Sequence, residues 1–431
     1  MNVFLSETSA AFCFVLILLV PFAGAGLALI NSGLGRSRSA AHAMLASLCV
    51  VSVAAIVYLI VGFSWEGVAG GPAHELTLGG KAWNWIGAEP LFLRGLPLDF
   101  SPLPLIFVLQ MFSIGLASLI PLSSGGDRWR LGAMCASTAL LAGWTYPLFA
   151  HWVWGGGWLS QLGANYGLGR GFLDAGGSST IQVVGGLTAL SITWILGPRR
   201  GKFSAEGIPV ALPGHNVVLV LLGCALAWVG WIGLNCAGAI LFAGAEPARC
   251  VLVAVNTTLA AAASGLATVV VTRIRFGRPD TSLSANGWIG GLVASSAAAP
   301  FLKPAAAIIV GGVAGILVPL VADALEFRLV IDDPGGAVSV HAVGGLWGVL
   351  SVALLSDGAG DTSGQWLAQV IGIATLLGFV LPLTYGLNWL LDRIYHQRVD
   401  REGELQGLDL FELGGGAYPE FEIHGDEFLQ H

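Results

Sequence analysis

Residues 174–187 read DAGGSSTIQVVGGL, and residues 333–346 read DPGGAVSVHAVGGL. Both stretches begin with an aspartate, continue through a glycine pair and end in Val-Gly-Gly-Leu. Eight positions after the aspartate, the first stretch has Gln182 and the second has His341. An apolar chain that repeats itself this way is typically built from two related halves whose equivalent residues converge. Gln182 and His341 are therefore the first candidates for a shared interior site.

The composition is that of a chain that lies in a membrane. Hydrophobic residues make up 55% of it, charged residues only 10%, and the mean hydropathy is +0.78. Charged residues are about a quarter of an average soluble protein. The formal net charge of -7 comes mostly from acidic loops and the tail. No basic patch supports nucleic-acid binding.

The sequence predicts an all-α polytopic membrane protein with eleven transmembrane helices. A helix needs about 20 apolar residues to cross about 30 Å of hydrocarbon. An odd count suits a five-plus-five inverted repeat with one extra helix, because five spans reverse the direction of the second half. Apolar stretches of suitable length fall at 9–34, 41–63, 103–122, 131–153, 178–197, 215–242, 250–272, 284–299, 305–327, 338–355 and 366–391.

These spans define a membrane domain over 1–391, with repeat halves at about 9–197 and 215–355 and an extra helix at 366–391. Lys and Arg residues concentrate in the loops on one side of the eleven-span order. The positive-inside rule then places the N-terminus outside the cell and the C-terminus in the cytoplasm. The acidic, polar tail 392–431 is too short for an enzyme domain, so it either docks on the cytoplasmic face or binds a partner.

No catalytic or metal site is expected from the sequence. The six cysteines lie within apolar runs and lack the spacing of a metal site or a disulfide framework, so we interpret them as small buried hydrophobic residues. No nucleophile-base set appears among the motifs. The sequence therefore predicts neither an enzyme nor a cofactor.

Four motifs stand out along the chain: AHWVWGGGW at 150–158, GWIGLN at 230–235, DDP at 332–334 with His341, and GLD at 407–409. In order and spacing, from about residue 9 to 418, they resemble the ammonium transporter family (Amt/Mep/Rh). The resemblance implies a homotrimer of eleven-helix protomers in the cell (inner) membrane, each with its own narrow pore for ammonium or methylammonium. It also implies that a PII-type signalling protein often docks on the cytoplasmic face.

The resemblance assigns three positions to an outer vestibule that recruits the cation. Trp154 matches an aromatic residue whose face attracts cations. Asp174 matches a carboxylate near the outer end of the pore, although its place before a glycine-rich helix start favours capping over direct cation binding. Gly238 stands where the family usually has a serine acceptor. A ligand loses one direct hydrogen bond at that position.

The gate below the vestibule differs from the family pattern. The family usually stacks two phenylalanines there, and the matching positions are Ser113 and Leu234. Phe112, one position earlier, is an alternative gate residue if its helix is rotated or bulged. Because neither position has an aromatic ring, we expect a wider passage that holds more water, unless the Phe112 side chain fills it.

The pore centre of the family usually holds two hydrogen-bonded histidines. His341 matches the second histidine, and Gln182 stands in place of the first. A glutamine amide donates and accepts hydrogen bonds but does not titrate. A direct proton relay between two imidazoles is thereby excluded.

Three further motif residues are interpreted as structural: Trp231, Asn235 and Asp333, the last as a helix start.

Two functional hypotheses remain. The first is transport of ammonium or methylammonium through a rewired pore. The second is a non-transporting ammonium receptor, or a channel for another small solute, because four changes along one conduit are difficult to reconcile with an unchanged mechanism.

Overall fold

The computed structural model describes residues 5–356 and 363–418, and it is mostly helical. Nine helical stretches in these residues are long and apolar enough to cross a membrane, which makes the chain a multi-pass membrane protein. They are Glu7–Leu34, Ser37–Glu66, Pro102–Gly125, Ser178–Leu196, Val217–Leu241, Pro247–Phe276, Pro304–Phe327, Val338–Leu355 and Gln365–Ile394.

Most of these stretches combine α-helix with short 3-10 or π-helical segments. The α-helices are α1 Glu7–Ile17, α2 Val20–Leu34, α3 Ala40–Val57, α4 Phe63–Glu66, α5 Pro102–Gly125, α6 Leu131–Leu140, α7 Tyr146–Val153, α8 Leu162–Tyr166, α9 Val184–Leu196, α10 Val217–Leu241, α11 Cys250–Phe276, α12 Thr281–Ser295, α13 Pro304–Phe327, α14 Gly344–Leu355, α15 Gln365–Thr375, α16 Leu381–Ile394 and α17 Arg401–Gln406. The π-helical segments are Tyr58–Gly62, Leu141–Thr145, Ser178–Val183, Val338–Val343, Leu376–Val380 and Asp409–Leu413, and the 3-10 turns are Ser37–Ser39, Leu91–Leu93 and Pro247–Arg249.

Two of the eleven expected spans are absent from that set, although both are helical. The first is continuous through α6, its π-helical segment and α7, and thus covers 131–153. The second is α12, whose 15 residues are fewer than a membrane-spanning helix usually needs. The count of eleven spans therefore stays a prediction.

The two repeated stretches form equivalent elements that pack against each other. Each begins with a π-helical segment, an arrangement that is frequent at functional sites, and continues into α9 or α14. A β-carbon on Gly186 would overlap the backbone of Ala342, and one on Gly345 would lie 2.5 Å from the Ser178 carbonyl oxygen. The repeated glycines thus let the two halves approach at the level of the candidate site.

Charged loops meet on one end of the helix bundle, which we call the basic face. Arg199 forms ion pairs with Asp127 at 3.1 Å and with Asp332 at 2.9 Å, and Arg36 reaches Asp127 at 3.8 Å. These contacts join the loops after α2, α5, α9 and α13, which the charge pattern assigns to one side.

The described part of the tail lies on this basic face. Asp409 accepts the backbone N–H groups of Ala41 and His42, and Glu412 contacts the His42 ring at 2.7 Å and the Leu131 N–H at 3.0 Å. The tail therefore docks on its own chain as far as residue 418. The remaining tail positions, 419–431, lie outside the described residues.

The opposite end, which we call the Trp154 face, carries the longest loop of the predicted order. This connection, 64–102 between the second and third predicted spans, contains regular structure: α4 extends to Glu66, and an antiparallel hairpin follows from strands β1 Ala73–Leu78 and β2 Lys81–Gly87. The hairpin is tied to the α7 end of the bundle, because Asn84 donates to the Gly156 carbonyl oxygen at 3.2 Å.

Candidate functional site

A cavity of about 350 Å³ opens at the Trp154 face. Trp154, Asp174, Phe242 and Phe301 are among the residues that line it. The Trp154 indole N–H donates to the Asp174 carbonyl oxygen at 2.6 Å, which fixes the ring. Phe242 stacks on that ring with centroids 4.3 Å apart and planes 8° apart. One face of Trp154 is thus covered, and only the other can meet a cation.

Asp174 acts as the cap of the first repeat element. Its carboxylate oxygens accept the backbone N–H groups of Gly177, Ser178, Ser179 and Thr180, and also the Ser179 hydroxyl at 2.5 Å. This is the capping role that the glycine-rich sequence favours. The carboxylate therefore has little remaining capacity to bind a cation directly, although Asp174 lines the cavity.

Gly238 lies against the backbone of the first repeat. A β-carbon at this position would overlap the Ala175 carbonyl oxygen and would come within 3.2 Å of the Gly176 α-carbon. The space that a serine side chain would need is therefore filled by backbone. Ala175 itself is among the residues that line the cavity.

The predicted gate positions lie outside the lining of the Trp154 cavity. Ser113 and Leu234 are both buried, and the Ser113 hydroxyl donates to the Leu109 carbonyl oxygen at 2.8 Å. Phe112 is half-buried and packs against the hydrophobic core. The wider, wetter passage expected at this level is not part of the cavity and stays a prediction.

Gln182 and His341, which the repeat predicts to lie together, form a hydrogen bond of 2.7 Å between Gln182 Oε1 and His341 Nδ1. Their exposed fractions are 0% and 5%. Because the amide oxygen only accepts, the imidazole proton sits on Nδ1, and Nε2 keeps a lone pair. Gln182 Nε2 has no hydrogen-bond partner among the described residues. The pair thus offers a free amide NH2 group with two donor hydrogens and one free acceptor nitrogen in a buried position.

The residues interpreted as structural have structural contacts. Trp231 donates to the Ser296 hydroxyl at 3.2 Å, and Asn235 donates to the Thr257 hydroxyl at 2.9 Å. Asp333 accepts the N–H groups of Ala337 and Val338 and the Ser124 hydroxyl, so it starts the second repeat element as Asp174 starts the first.

The basic face holds a buried ion cluster near the second repeat. Burial lowers the pKa of Arg128 to about 10, although Asp332 opposes the shift. Burial also acts to raise the pKa of Asp332, but the charges of Arg128 and Arg199 and the hydrogen bonds from Arg199 outweigh it, and the pKa lies below its ordinary value. The cluster is therefore charged at neutral pH.

Sequence reasoning missed one buried polar group at the cavity. Glu66 lines it, is 1% exposed and accepts hydrogen bonds from the Tyr58 hydroxyl at 2.7 Å and the Gln110 amide at 2.5 Å. Tyr146 in turn donates to Gln110 Oε1 at 2.5 Å. A lone carboxylate three positions after an apolar span was the available signal. Among the described residues, no group of three or more His, Cys, Asp or Glu side chains is arranged to hold a metal ion.

Comparison with known proteins gives one consistent result. The family model described as the ammonium transporter family matches residues 11–418. The chain is 32% identical to the ammonium transporter Amt2 of Archaeoglobus fulgidus, over 94% of this chain and 86% of that protein. It is 30% identical to the ammonium transporter of Bacillus subtilis, over 94% of this chain and 97% of that one.

Solved structures of Amt and Mep proteins have the same architecture as this chain. A protein described as a sensor Amt protein superposes with a TM-score of 0.84 at 26% identity, over 94% of this chain and 97% of that one. Mep2 of Candida albicans superposes with a TM-score of 0.79 at 25% identity, over 96% and 90% of the two chains.

Proposed function

Because the chain belongs to the ammonium transporter family, we propose that it moves ammonium or methylammonium across a membrane through a pore in each protomer of a homotrimer. Its relatives are named as transporters, and the protein is not an enzyme. The observation that carries the proposal is the buried hydrogen bond between Gln182 and His341, which joins the equivalent elements of the two halves.

The proposed path begins in the Trp154 cavity. The exposed face of Trp154 attracts the cation, and the Ala175 carbonyl beside Gly238 supplies an acceptor for one of its N–H groups. The solute then passes Ser113 and Leu234, which stand in place of the family's two gate phenylalanines. Phe112 remains the alternative gate residue. The path continues past Gln182 and His341.

The pore centre differs most from the family pattern, since Gln182 stands in place of the first histidine. Its free N–H needs an acceptor, which ammonium lacks and neutral ammonia has. His341 Nε2 accepts an N–H of the same molecule. The proposed centre therefore holds the solute in its neutral form and does not pass a proton between the two side chains.

The surroundings of the pore follow from the same proposal. We assign 1–391 to the membrane domain, with repeat halves at about 9–197 and 215–355 and an extra helix at 366–391. The Trp154 face is outside, and the basic face with the tail 392–431 lies in the cytoplasm of a cell (inner) membrane. A PII-type regulatory protein is a candidate partner on the basic face.

The experiment uses purified protein in liposomes and on a supported membrane. Solutions with ammonium, methylammonium, potassium or no substrate are applied while current and internal pH are recorded against protein-free liposomes of the same lipid. We expect entry of ammonia or methylamine, seen as internal alkalinisation above the protein-free rate, and no response to potassium. Alkalinisation and current that both equal the protein-free control would contradict transport and favour a receptor.

A further inference from the structure

Glu66 is a buried carboxylate without a cationic partner among the described ion pairs. Each of its oxygens accepts one hydrogen bond, from Tyr58 and from Gln110. A carboxylate has about four acceptor positions, so about two stay free. Buried charge is costly unless a counter-ion compensates it. Such a group reaches neutrality by binding a proton or by binding a cation.

The two donors are held in place by their own contacts. Gln110 is oriented by the Tyr146 hydroxyl, which donates to its side-chain carbonyl oxygen at 2.5 Å. The Gln110 amide must therefore point its N–H at Glu66. The network supplies two donors to the carboxylate, and both favour its ionised form over the protonated one.

Glu66 lines the same cavity as Trp154 and Asp174. Asp174 is occupied by the N–H groups of its own helix start, which leaves Glu66 as the carboxylate with unused acceptor capacity in this lining. The titratable or charged groups around it are Tyr58, Tyr146, His151, Arg170 and Asp174. His151 Nδ1 donates to the Glu66 carbonyl oxygen at 2.6 Å.

We propose that Glu66 accepts the proton that ammonium gives up in the Trp154 cavity, so that neutral ammonia enters the pore. This rests on the proposed function, because Gln182 and His341 do not pass a proton between them. An N–H bond of ammonium breaks, its electron pair stays on nitrogen as the lone pair of ammonia, and an O–H bond forms on Glu66. The proton then leaves from Glu66 to water in the open cavity, which regenerates the carboxylate.

The test measures ammonium-driven alkalinisation of proteoliposomes between pH 6 and pH 8 for native protein and for Glu66→Gln. Loss of a general base typically costs about 100-fold or more, so we expect the variant to lose at least about tenfold in rate at pH 6. Its residual rate should follow free ammonia and rise about tenfold per pH unit. The native rate should vary less over the same range.

Glu75→Gln is the matched control, because Glu75 is exposed on β1, and it should keep the native rate and profile. His151→Gln removes the neighbouring imidazole ring and leaves the Glu66 carboxylate in place. This variant should also keep the native pH profile, because the proposed proton acceptor is the carboxylate. Native rate and profile in a folded Glu66→Gln variant would overturn the proposal while leaving transport intact. Failure of the native protein to move ammonium at all would instead overturn the proposed function, and this inference with it.

Tyr58→Phe tests the same idea if Glu66→Gln does not fold. It removes one hydrogen bond to the ionised carboxylate but leaves the carboxylate in place. We expect the midpoint of the uptake profile to move to higher pH. An unchanged midpoint would overturn the role of Glu66 as the proton acceptor.

Discussion

The Ala175 carbonyl oxygen occupies the space into which a side chain at Gly238 would extend. The first half of the repeat and α10 therefore meet backbone to backbone at the cavity. The close approach also explains why a glycine suits this position, where a serine is usual in the family.

Gly238→Ser is the first test of this contact. We expect the protein to lose about 1–3 kcal/mol of stability, because the added atoms overlap backbone that has no room to move. Affinity for ammonium should not increase, although the family's usual residue is restored. Thermal unfolding in detergent and uptake in liposomes measure the two effects.

The matched control is Gly312→Ser in α13, where a β-carbon would meet nothing within 4 Å. It should be neutral or stabilising by about 0.5 kcal/mol, because serine has the better helix propensity. Equal unfolding temperatures for the two variants would contradict the steric explanation.

Asp174→Ala is the second prediction. It removes the acceptor of four backbone N–H groups at the start of the first repeat element, so we expect a loss of at least about 2 kcal/mol. Thermal unfolding measures it. Asp280→Ala, which removes a cap that accepts the Leu283 N–H in α12, should cost only about 1 kcal/mol. A smaller loss at position 174 than at position 280 would argue against capping as the main role.

The third prediction concerns acid stability of the basic face. The pKa of Asp332 in the folded protein lies below its ordinary value of 3.8. A carboxylate of this kind contributes stability that is fully present above its unfolded pKa and is lost as the pH falls through the folded pKa. The contribution of Asp332 to the stability of the native protein should therefore be constant above about pH 5 and should decrease below pH 3.8.

Arg199→Gln removes one partner of this buried carboxylate. We expect a loss of about 3 kcal/mol at pH 7, because Arg128 remains beside Asp332, and a weaker pH dependence below pH 3.8. Arg275→Gln breaks a partly exposed pair with Asp323 and should cost less than about 1 kcal/mol. An unchanged acid limb in Arg199→Gln would show that this ion cluster does not set the pH dependence.

Local sequence signals were sufficient for the repeat and its helix starts. Each pattern that starts at Asp174 or Asp333 lies within a single segment of the sequence. Gln182 and His341 occupy the same position in the two patterns, which predicts that they lie together. The role of Glu66 depends on Tyr58, Gln110 and Tyr146, which come from three separate segments, so no local pattern contains it. For the same reason, the close approach of the Ala175 carbonyl oxygen to Gly238 cannot be predicted from a local sequence pattern.

The last prediction concerns charge movement through the pore centre. A pair of histidines carries a proton because each ring binds it at one nitrogen while releasing it at the other. Gln182 cannot do this without a high-energy imidic form, so native protein should give little or no ammonium-driven current on a supported membrane. Gln182→His should create or strongly increase that current, because His341 already directs Nδ1 to this position. His341→Ala should abolish the gain in current in the Gln182→His background and should matter far less in the native one.

Gln182→Met is the control, because methionine is similar in length and lacks both the amide and a titratable ring. It should give no current, which would show that a gain in Gln182→His comes from the imidazole and not from loss of the amide. Equal currents from native protein and Gln182→His, at the same expression and lipid composition, would show that a proton relay between these two positions does not describe this pore, and would favour a water wire through the gate positions as the carrier.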